Sequence, residues 1–200
     1  MPGLVPGIHD LFVQKCVDGR DKPGHDERKY IFDSETGLTM TLKAVRFAAL
    51  MLAALTLGMG FCHLLQLPAR MGWDQYLWVG STVQGGLYSL FGSIGAIIDV
   101  LTVISLGLLA YLVREHHRPG VMLALGAALL FAAALLLWWV LVYPVNVELA
   151  KWVNGPVPSD WTVYRARWEW GHATISLFEF VGFAALIGSV LADTPRSGAQ

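Results

Sequence analysis

The chain has 200 residues, of which 55% are hydrophobic and 14% are charged, and its formal net charge is −1. Soluble domains usually carry about 25% charged residues, so this composition is typical of a membrane protein. A net charge this close to zero gives no reason to expect a nucleic-acid partner. Cys16 lies in a polar segment and Cys62 in an apolar run. This placement argues against a disulfide framework and leaves a zinc site without a ligand set.

The first 39 residues differ in composition from the rest. They contain five Lys/Arg and seven Asp/Glu, with no sustained apolar period. Such a segment buries too little surface to offset the entropy lost on ordering. We therefore predict a disordered or weakly ordered tail over residues 1–39 and a four-span transmembrane domain over residues 40–200. The stretch MPGLVPGIHD also resembles a translated repeat element that precedes many bacterial reading frames, which implies a native start at Met40.

Four apolar runs follow in chain order, at about residues 44–67, 80–113, 121–143 and 165–191. Each exceeds the roughly 20 helical residues needed to cross the hydrocarbon core of a bilayer. The polar turn at 114–118 is very short, and Pro144 is predicted to end the third run before a loop over 144–164. Short turns between long helices favour antiparallel neighbours. The predicted fold class is all-α, an integral membrane antiparallel four-helix bundle.

Small residues mark the packing faces of the first two spans. In the first span, spacings of 4, 3, 4 and 3 place one set on a single helix face: Ala49, Ala53, Thr56, Gly60 and His63. In the second span, a similar face is formed by Gly85, Ser89, Gly92 and Ala96, and it continues to Asp99. Small residues let membrane helices approach closely, so both faces are predicted to point into the bundle.

Charge and tryptophan are distributed unequally between the two ends. Five Lys/Arg fall on the side of the termini and four on the other: Lys43, Arg46, Arg114, Arg118 and Arg196 against Arg70, Lys151, Arg165 and Arg167. This excess favours a multi-pass protein of a bacterial inner (plasma) membrane with both termini in the cytoplasm. All eight tryptophans lie at the opposite, outer end. An aromatic belt would populate both ends, so the surplus predicts an aromatic pocket at the outer end.

The fourth span carries a continuous polar stripe at spacings of 4, 3, 4 and 3: Arg165, Glu169, His172, Ser176 and Glu179. Lipid penalises such a stripe, so it should face the bundle or a wet cavity. Arg165 and Glu169 are four residues apart and are predicted to pair. An up-down topology would place His63 and His172 at similar depth, near the outer mouth.

Each candidate also has a purely structural interpretation. Long side chains near the interface reach water, which accounts equally well for Arg165, Arg167 and Glu169. His63 taken alone is typical of a hydrogen-bonded bundle histidine. Asp99 has the alternative of a protonated side chain that bonds across helices, and Asn146 that of a loop cap. His116 and His117 are predicted to be solvated.

Three motifs in the second half of the chain carry a resemblance: PVNVELAKW at 144–152, PSDW at 158–161 and RARWEWGH at 165–172. Together they resemble the anthrone oxygenase-like family of small four-helix membrane proteins, over residues 41–192. The motif positions carried onto this chain are His63, Asp99, Asn146, Trp152, Arg165, Arg167, Trp168, Glu169 and His172. Many members of the family have arginine three residues after the last histidine, where this chain has Ile175.

The resemblance implies a cofactor-independent oxidoreductase that oxygenates an anthrone-type phenolic or quinoid compound. In that hypothesis the catalytic residues are His172, Glu169, His63 and Arg165. His172 removes a proton, Glu169 orients it, and His63 or Arg165 stabilises the anion. The substrate is bound by Asn146, Trp152, Trp168, Arg167 and Asp99. No metal site is predicted.

Two alternatives stay open. A haem held between His63 and His172 would make the chain a redox protein, although no sequence motif demands it. A non-catalytic membrane scaffold, subunit or small-solute permeation protein would use Asp99 and Glu179 to line a polar path. A polar path that crosses the whole bilayer favours permeation, whereas a blind pocket at the outer end favours ligand binding or chemistry. The expected partners are the lipid bilayer, an aromatic small molecule and further copies of the chain in a homo-oligomer.

Overall fold

A computed structural model describes residues 24–83 and 90–193. Its regular elements are all helical: α1 (Gly24–Arg70), α2 (Gln75–Val83), a π-helical turn (Phe91–Gly95) that leads into α3 (Ala96–Leu112), α4 (Arg118–Leu137), a second π-helical turn (Trp138–Val142), α5 (Tyr143–Lys151) and α6 (Trp161–Ala192). No strand occurs in these two ranges. Residues 39–200 form one compact unit and residues 1–38 another. Residues 1–23 lie outside the described residues, and the weakly ordered tail over 1–39 stays a prediction.

Four helical stretches are long and apolar enough to cross a membrane: Thr39–Arg70, Phe91–Leu112, Arg118–Lys151 and Trp161–Ala192. This confirms the predicted all-α class and the number of candidate spans. The end of the third span differs from the prediction. The described part of the second span, Phe91–Leu112, lies within the predicted range 80–113, and residues 80–83 belong to α2. Gly85 and Ser89, two members of its predicted small-residue face, lie outside the described residues.

Pro144 does not end the third span, and that boundary prediction was wrong. The helix passes through the π-helical turn Trp138–Val142 and continues as α5 to Lys151. Pro144 has no N–H to donate to the carbonyl of Val140, four residues earlier. Arg167 Nη2 donates to this carbonyl oxygen instead, at 3.2 Å. A π-turn is a usual way for a helix to absorb such an interruption.

Contacts between neighbouring helices join residues in opposite order along the chain. Between α1 and α6, Arg46 pairs with Asp193 and Arg70 with Glu169. α3 contacts α1 through Asp99 and Thr102, which both meet Thr56. The contacts of α4 and the turn after it with α6 follow the same order: Gly120 with Ser189, Phe131 with Gly182 and Val142 with Gly171. Each of α1 and α4 therefore contacts both α3 and α6.

Two buried clusters fill the interior of this unit. The proximal core, on the side of residues 46 and 193, consists of small and aliphatic side chains and one phenylalanine: Ala49, Ala53, Leu106, Leu109, Val113, Ala124, Ala127, Phe131 and Leu186. The distal core, at the other end, is rich in tryptophan: Trp78, Val79, Val83, Ala134, Val142, Val145, Leu149, Trp152, Trp168 and Ile175. Ala49, Ala53, Thr56 and Gly60 are all buried, as predicted for their face.

Candidate functional site

The candidate site lies where α1 ends and α6 begins, beside the distal core. α1 continues through Pro68 to Arg70. Arg70 is seven residues after His63, so it extends the inward face of α1 by two turns. Its side chain is buried and meets Glu169 on α6. The site therefore lies between the C-terminal end of α1 and the N-terminal part of α6, which carries the polar stripe.

Arg70 and Glu169 form a buried ion pair within a hydrogen-bond network. Arg70 Nε donates to Glu169 Oε1 at 2.6 Å, and Trp78 Nε1 donates to the same oxygen at 2.7 Å. Arg70 Nη2 donates to Thr82 Oγ1 at 2.6 Å, so α2 supplies a further ligand to the guanidinium. Glu169 is only 1% exposed. A charge this deeply buried is tolerated because it is paired and bonded by several donors.

His63 and His172 pack together against Trp168. The centroids of the two imidazole rings are 4.3 Å apart, and those of Trp168 and His172 are 4.1 Å apart. His172 Nδ1 lies 2.9 Å from the carbonyl oxygen of Trp168. A carbonyl oxygen only accepts hydrogen bonds, so Nδ1 carries the hydrogen and Nε2 keeps its lone pair. In this tautomer, His172 has a free basic nitrogen.

Two buried polar atoms of the site have no hydrogen-bond partner within the described residues. They are Nδ1 of His63 and Oε2 of Glu169. Buried polar atoms are nearly always bonded, and an unbonded one costs about 1–3 kcal/mol. Such atoms beside a basic imidazole and aromatic rings are positioned to bond a ligand. The guanidinium of Arg70, 5.1 Å from the centroid of Trp168, adds positive charge to the same place.

Trp168 is held in place from the side of α5. Its Nε1 donates to Asn146 Oδ1 at 2.9 Å, so Asn146 supports the ring against which both histidines pack. Trp152 is buried farther along, in edge contact with Tyr164 at 5.4 Å between centroids. Asn146 therefore supports Trp168 at the centre of the site, and Trp152 belongs to the distal core beyond it.

Two of the predicted arginines are placed elsewhere. Arg165 does not form the predicted pair with Glu169, because Arg70 occupies that carboxylate. Its guanidinium donates to the carbonyl oxygen of Trp73 and lies 4.7 Å from the ring centroid of Trp161. Arg167 is exposed and bonds the carbonyl of Val140. Its exposure agrees with the structural interpretation, in which a long side chain near the interface reaches water.

Asp99 belongs to a deeper cluster. Its Oδ1 is 3.1 Å from Thr56 Oγ1, and Thr56 lies seven residues before His63 on α1, about 10 Å along the helix axis. Glu179 is seven residues beyond His172 on α6 and is 95% buried. Asp99 is thus separated from the imidazole pair by two helical turns.

On the proximal side of this deeper cluster, the interior is mainly apolar. The proximal core, from Ala53 and Leu106 to Val113 and Ala124, lies between Thr102 and the ion pair of Arg46 with Asp193. Among the described residues, the buried polar side chains of the distal end extend to about Thr102, and Ser189, which bonds the carbonyl of Gly120, lies apart from them at the proximal end. Of the two patterns distinguished from the sequence, this resembles a blind site more than a continuous path.

The two histidines do not fit a haem in their present arrangement. Imidazoles that bind one iron from opposite faces have ring centroids about 6 Å apart, because each metal–nitrogen bond is about 2 Å long. The observed separation of 4.3 Å leaves no room for an iron and its porphyrin between the rings. The described residues also contain no group of three or more His, Cys, Asp or Glu placed to bind a metal ion.

Sequence reasoning missed Arg70, Trp78 and Thr82. Arg70 lies beyond the predicted first span, which ends at residue 67, and was counted only among the charges of the outer side. The signal was present, since the spacing of 4 and 3 that joins Ala49 to His63 continues to Leu67 and Arg70. Trp78 and Thr82 lie four residues apart on one face of α2, but nothing in the sequence indicates that α2 folds against α6.

Comparisons with known proteins assign no family to this chain. No protein-family model matches the chain, and no curated protein or solved structure matches it.

Proposed function

We propose that the four long helices form an antiparallel bundle that spans a membrane four times. The opposite order of the interhelical contacts supports the antiparallel arrangement. The large apolar side chains exposed along all four helices support contact with lipid, since water would disfavour them. We place the chain in a bacterial inner membrane with both termini in the cytoplasm, on the charge distribution described above.

We further propose that this protein oxidises a hydroxylated aromatic compound of the anthrone type, in line with the sequence resemblance. The observation that carries this proposal is the pair of buried, unbonded atoms, Nδ1 of His63 and Oε2 of Glu169, beside a basic nitrogen of His172. A phenolic hydroxyl would donate to Glu169 Oε2, and the aromatic rings of the ligand would contact Trp168. A ligand that makes these contacts needs an aromatic ring system with polar groups on its edge.

The proposed reaction converts the CH₂ group of the anthrone and O₂ into C=O and H₂O. His172 Nε2 accepts a proton from the CH₂ group, which leaves a carbanion delocalised as a phenolate. The carbanion is oxidised by O₂, and a C–O bond forms to give a hydroperoxide after the proton returns. Loss of water from the hydroperoxide breaks the O–O bond and the remaining C–H bond, and yields the ketone. All atoms and electrons balance with O₂ as the oxidant.

The chain's other residues stabilise the anion in this scheme. Arg70 takes the role that the sequence analysis gave to Arg165, because its guanidinium is next to Trp168 and Glu169. His63 faces His172 and supplies Nδ1 as a hydrogen-bonding atom for the ligand. Glu169 Oε1 accepts a hydrogen bond from Arg70, and Oε2 accepts one from the hydroxyl group of the ligand. Asn146 keeps the ring of Trp168 in place.

The test is oxygen uptake by the detergent-purified full chain with anthrone or a hydroxylated anthrone, with the uncatalysed autoxidation subtracted. We expect His172→Ala to lower turnover by about 10²-fold or more, the usual contribution of a general base. His117→Ala is the matched control, because His117 is exposed and distant in sequence from the site. Full activity in His172→Ala, or no turnover above the background rate in the unaltered protein, would overturn the proposal.

The alternative, a non-catalytic scaffold or permeation protein, has less support. Permeation needs a polar path through the bundle, and the proximal core interrupts it within the described residues. Only the exposed apolar faces of the helices support a homo-oligomer, and contact with lipid accounts for these faces equally well.

A further inference from the structure

The proposed reaction does not use the deeper polar cluster, which consists of Thr56, Asp99, Thr102 and Glu179. Thr56 is 3% exposed, Thr102 is fully buried and Glu179 is 5% exposed. Within the described residues, no salt bridge joins Asp99 or Glu179 to a basic side chain. Two ionised carboxylates without a counter-charge in an apolar interior would be very costly, so something must neutralise them.

A count of hydroxyl hydrogens shows where one neutralising proton lies. Thr102 Oγ1 donates to the carbonyl of Ile98 at 2.8 Å, which uses its only hydrogen. Thr56 Oγ1 is 3.0 Å from Thr102 Oγ1 and 3.1 Å from Asp99 Oδ1. Thr56 also has one hydrogen, so it satisfies one of these two contacts. With Asp99 ionised, Thr56 donates to Asp99 Oδ1, and the contact between Thr56 and Thr102 is left without a hydrogen. With Asp99 protonated, every contact is satisfied: Asp99 donates to Thr56, Thr56 to Thr102, and Thr102 to Ile98.

Glu179 supplies the second observation. Its Oε2 is buried and has no hydrogen-bond partner in the described part of the chain. The carboxyl group occupies the space that a β-carbon would need at residue 60, so glycine at this position makes room for it. Asp99 contacts Thr56, which lies one turn before Gly60 on the same face of α1. Glu179 is thus aimed at α1 beside Thr56, into the same cluster as Asp99.

We propose that Asp99 and Glu179 form a buried proton-binding site, in which the acid hydrogen of Asp99 bonds Thr56. The ligand is a proton rather than a metal cation, because only a donor on Asp99 satisfies every contact of the hydrogen-bond chain, and a bound cation would repel that donor. The groups that face the site from the distal side are His172 and His63, with Ser176 between them and Glu179 on α6.

On the proximal side the nearest charged groups are Arg46, Asp193 and His116, beyond the apolar core. The inference is independent of the proposed oxidation, because it does not involve the ligand of the imidazole pair.

Infrared spectroscopy of the purified full chain at pH 7 tests the site, because the C=O stretch of a carboxylic acid is separate from that of a carboxylate. We expect a carboxylic-acid band that loses one component in Asp99→Asn and another in Glu179→Gln. Asp193→Asn is the matched control, since Asp193 is paired with Arg46 and should contribute no such component. Absence of the band, or a band unchanged in both variants, would overturn the proposal.

Two further measurements keep the result interpretable. Thr56→Val should shift the Asp99 component by removing its hydrogen-bond partner, whereas Thr56→Ser should leave it in place.

Thermal unfolding in NaCl and in choline chloride of equal ionic strength distinguishes a proton from a cation. Equal Tm values support the proton site. Stabilisation by sodium in the unaltered protein that disappears in Asp99→Asn would identify a cation site and refute ours.

Discussion

The distal and proximal halves of the interior solve the same packing problem with different side chains. The proximal core joins α1, α3, α4 and α6 through alanines, leucines and one phenylalanine. The distal core relies on tryptophans held by hydrogen bonds, as in Trp78 with Glu169 and Trp168 with Asn146. Van der Waals packing is undirected, whereas a bonded ring has one orientation. The distal half therefore fixes the geometry of a site, and the proximal half holds the helices together.

The largest expected effect is the loss of one partner of the distal ion pair. Arg70→Met should destabilise the fold by about 3–5 kcal/mol, because it leaves the charge of Glu169 buried and unpaired. The double variant Arg70→Met/Glu169→Leu should recover most of this loss. Denaturant unfolding in detergent measures both. Arg118→Met is the control, since Arg118 is exposed. Equal losses in the single and double variants would show that packing, and not charge, controls this half.

The proximal half should respond to loss of volume. Phe131→Ala should cost roughly 3 kcal/mol through the cavity it leaves, since Phe131 is 2% exposed and its ring packs against Gly182. Its effect should be confined to stability, with oxygen uptake per folded molecule unchanged. Unfolding and turnover measured on the same preparation check this. A folded variant with lower turnover would mean that the two halves are coupled.

The smallest effect should come from the support of Trp168. Asn146→Leu removes the acceptor of Trp168 Nε1 and should destabilise the protein by about 1–2 kcal/mol. If the distal half fixes the site by directed bonds, the same variant should lower turnover by more than its stability loss predicts. Ser189→Ala is the matched control, because it removes a bond to the carbonyl of Gly120 at the proximal end. Equal changes in turnover would remove the distinction between the halves.

The sequence was sufficient for the class of fold and for the packing face of α1, which depend on apolar length and periodicity. It was not sufficient for the second small-residue face, since Gly92 is exposed. Apolar length predicted four spans, and the spacing of Ala49, Ala53, Thr56 and Gly60 predicted the buried face of α1. The stripe of α6 was also correctly assigned to the interior at Glu169, Ser176 and Glu179.

The partners across helices were beyond the reach of periodicity. The pairing of Glu169 with Arg70 instead of Arg165 depends on how far α1 continues past Pro68 and on the fold of α2 against α6. The four-residue spacing on α6 predicted that Arg165 pairs with Glu169, but Glu169 pairs with Arg70, 99 positions away in the sequence. The orientation of His172 through the carbonyl of Trp168 is likewise a property of the folded helix.

The bond from Arg167 to the carbonyl of Val140 links two positions that are distant in the sequence. Pro144 creates the need for an outside donor, and Arg167 meets it. Replacing Pro144 would return a backbone donor to this carbonyl group, so the bond from Arg167 would no longer be needed there. One arginine of the RARWEWGH motif therefore bonds the backbone of another helix at the point that the proline interrupts.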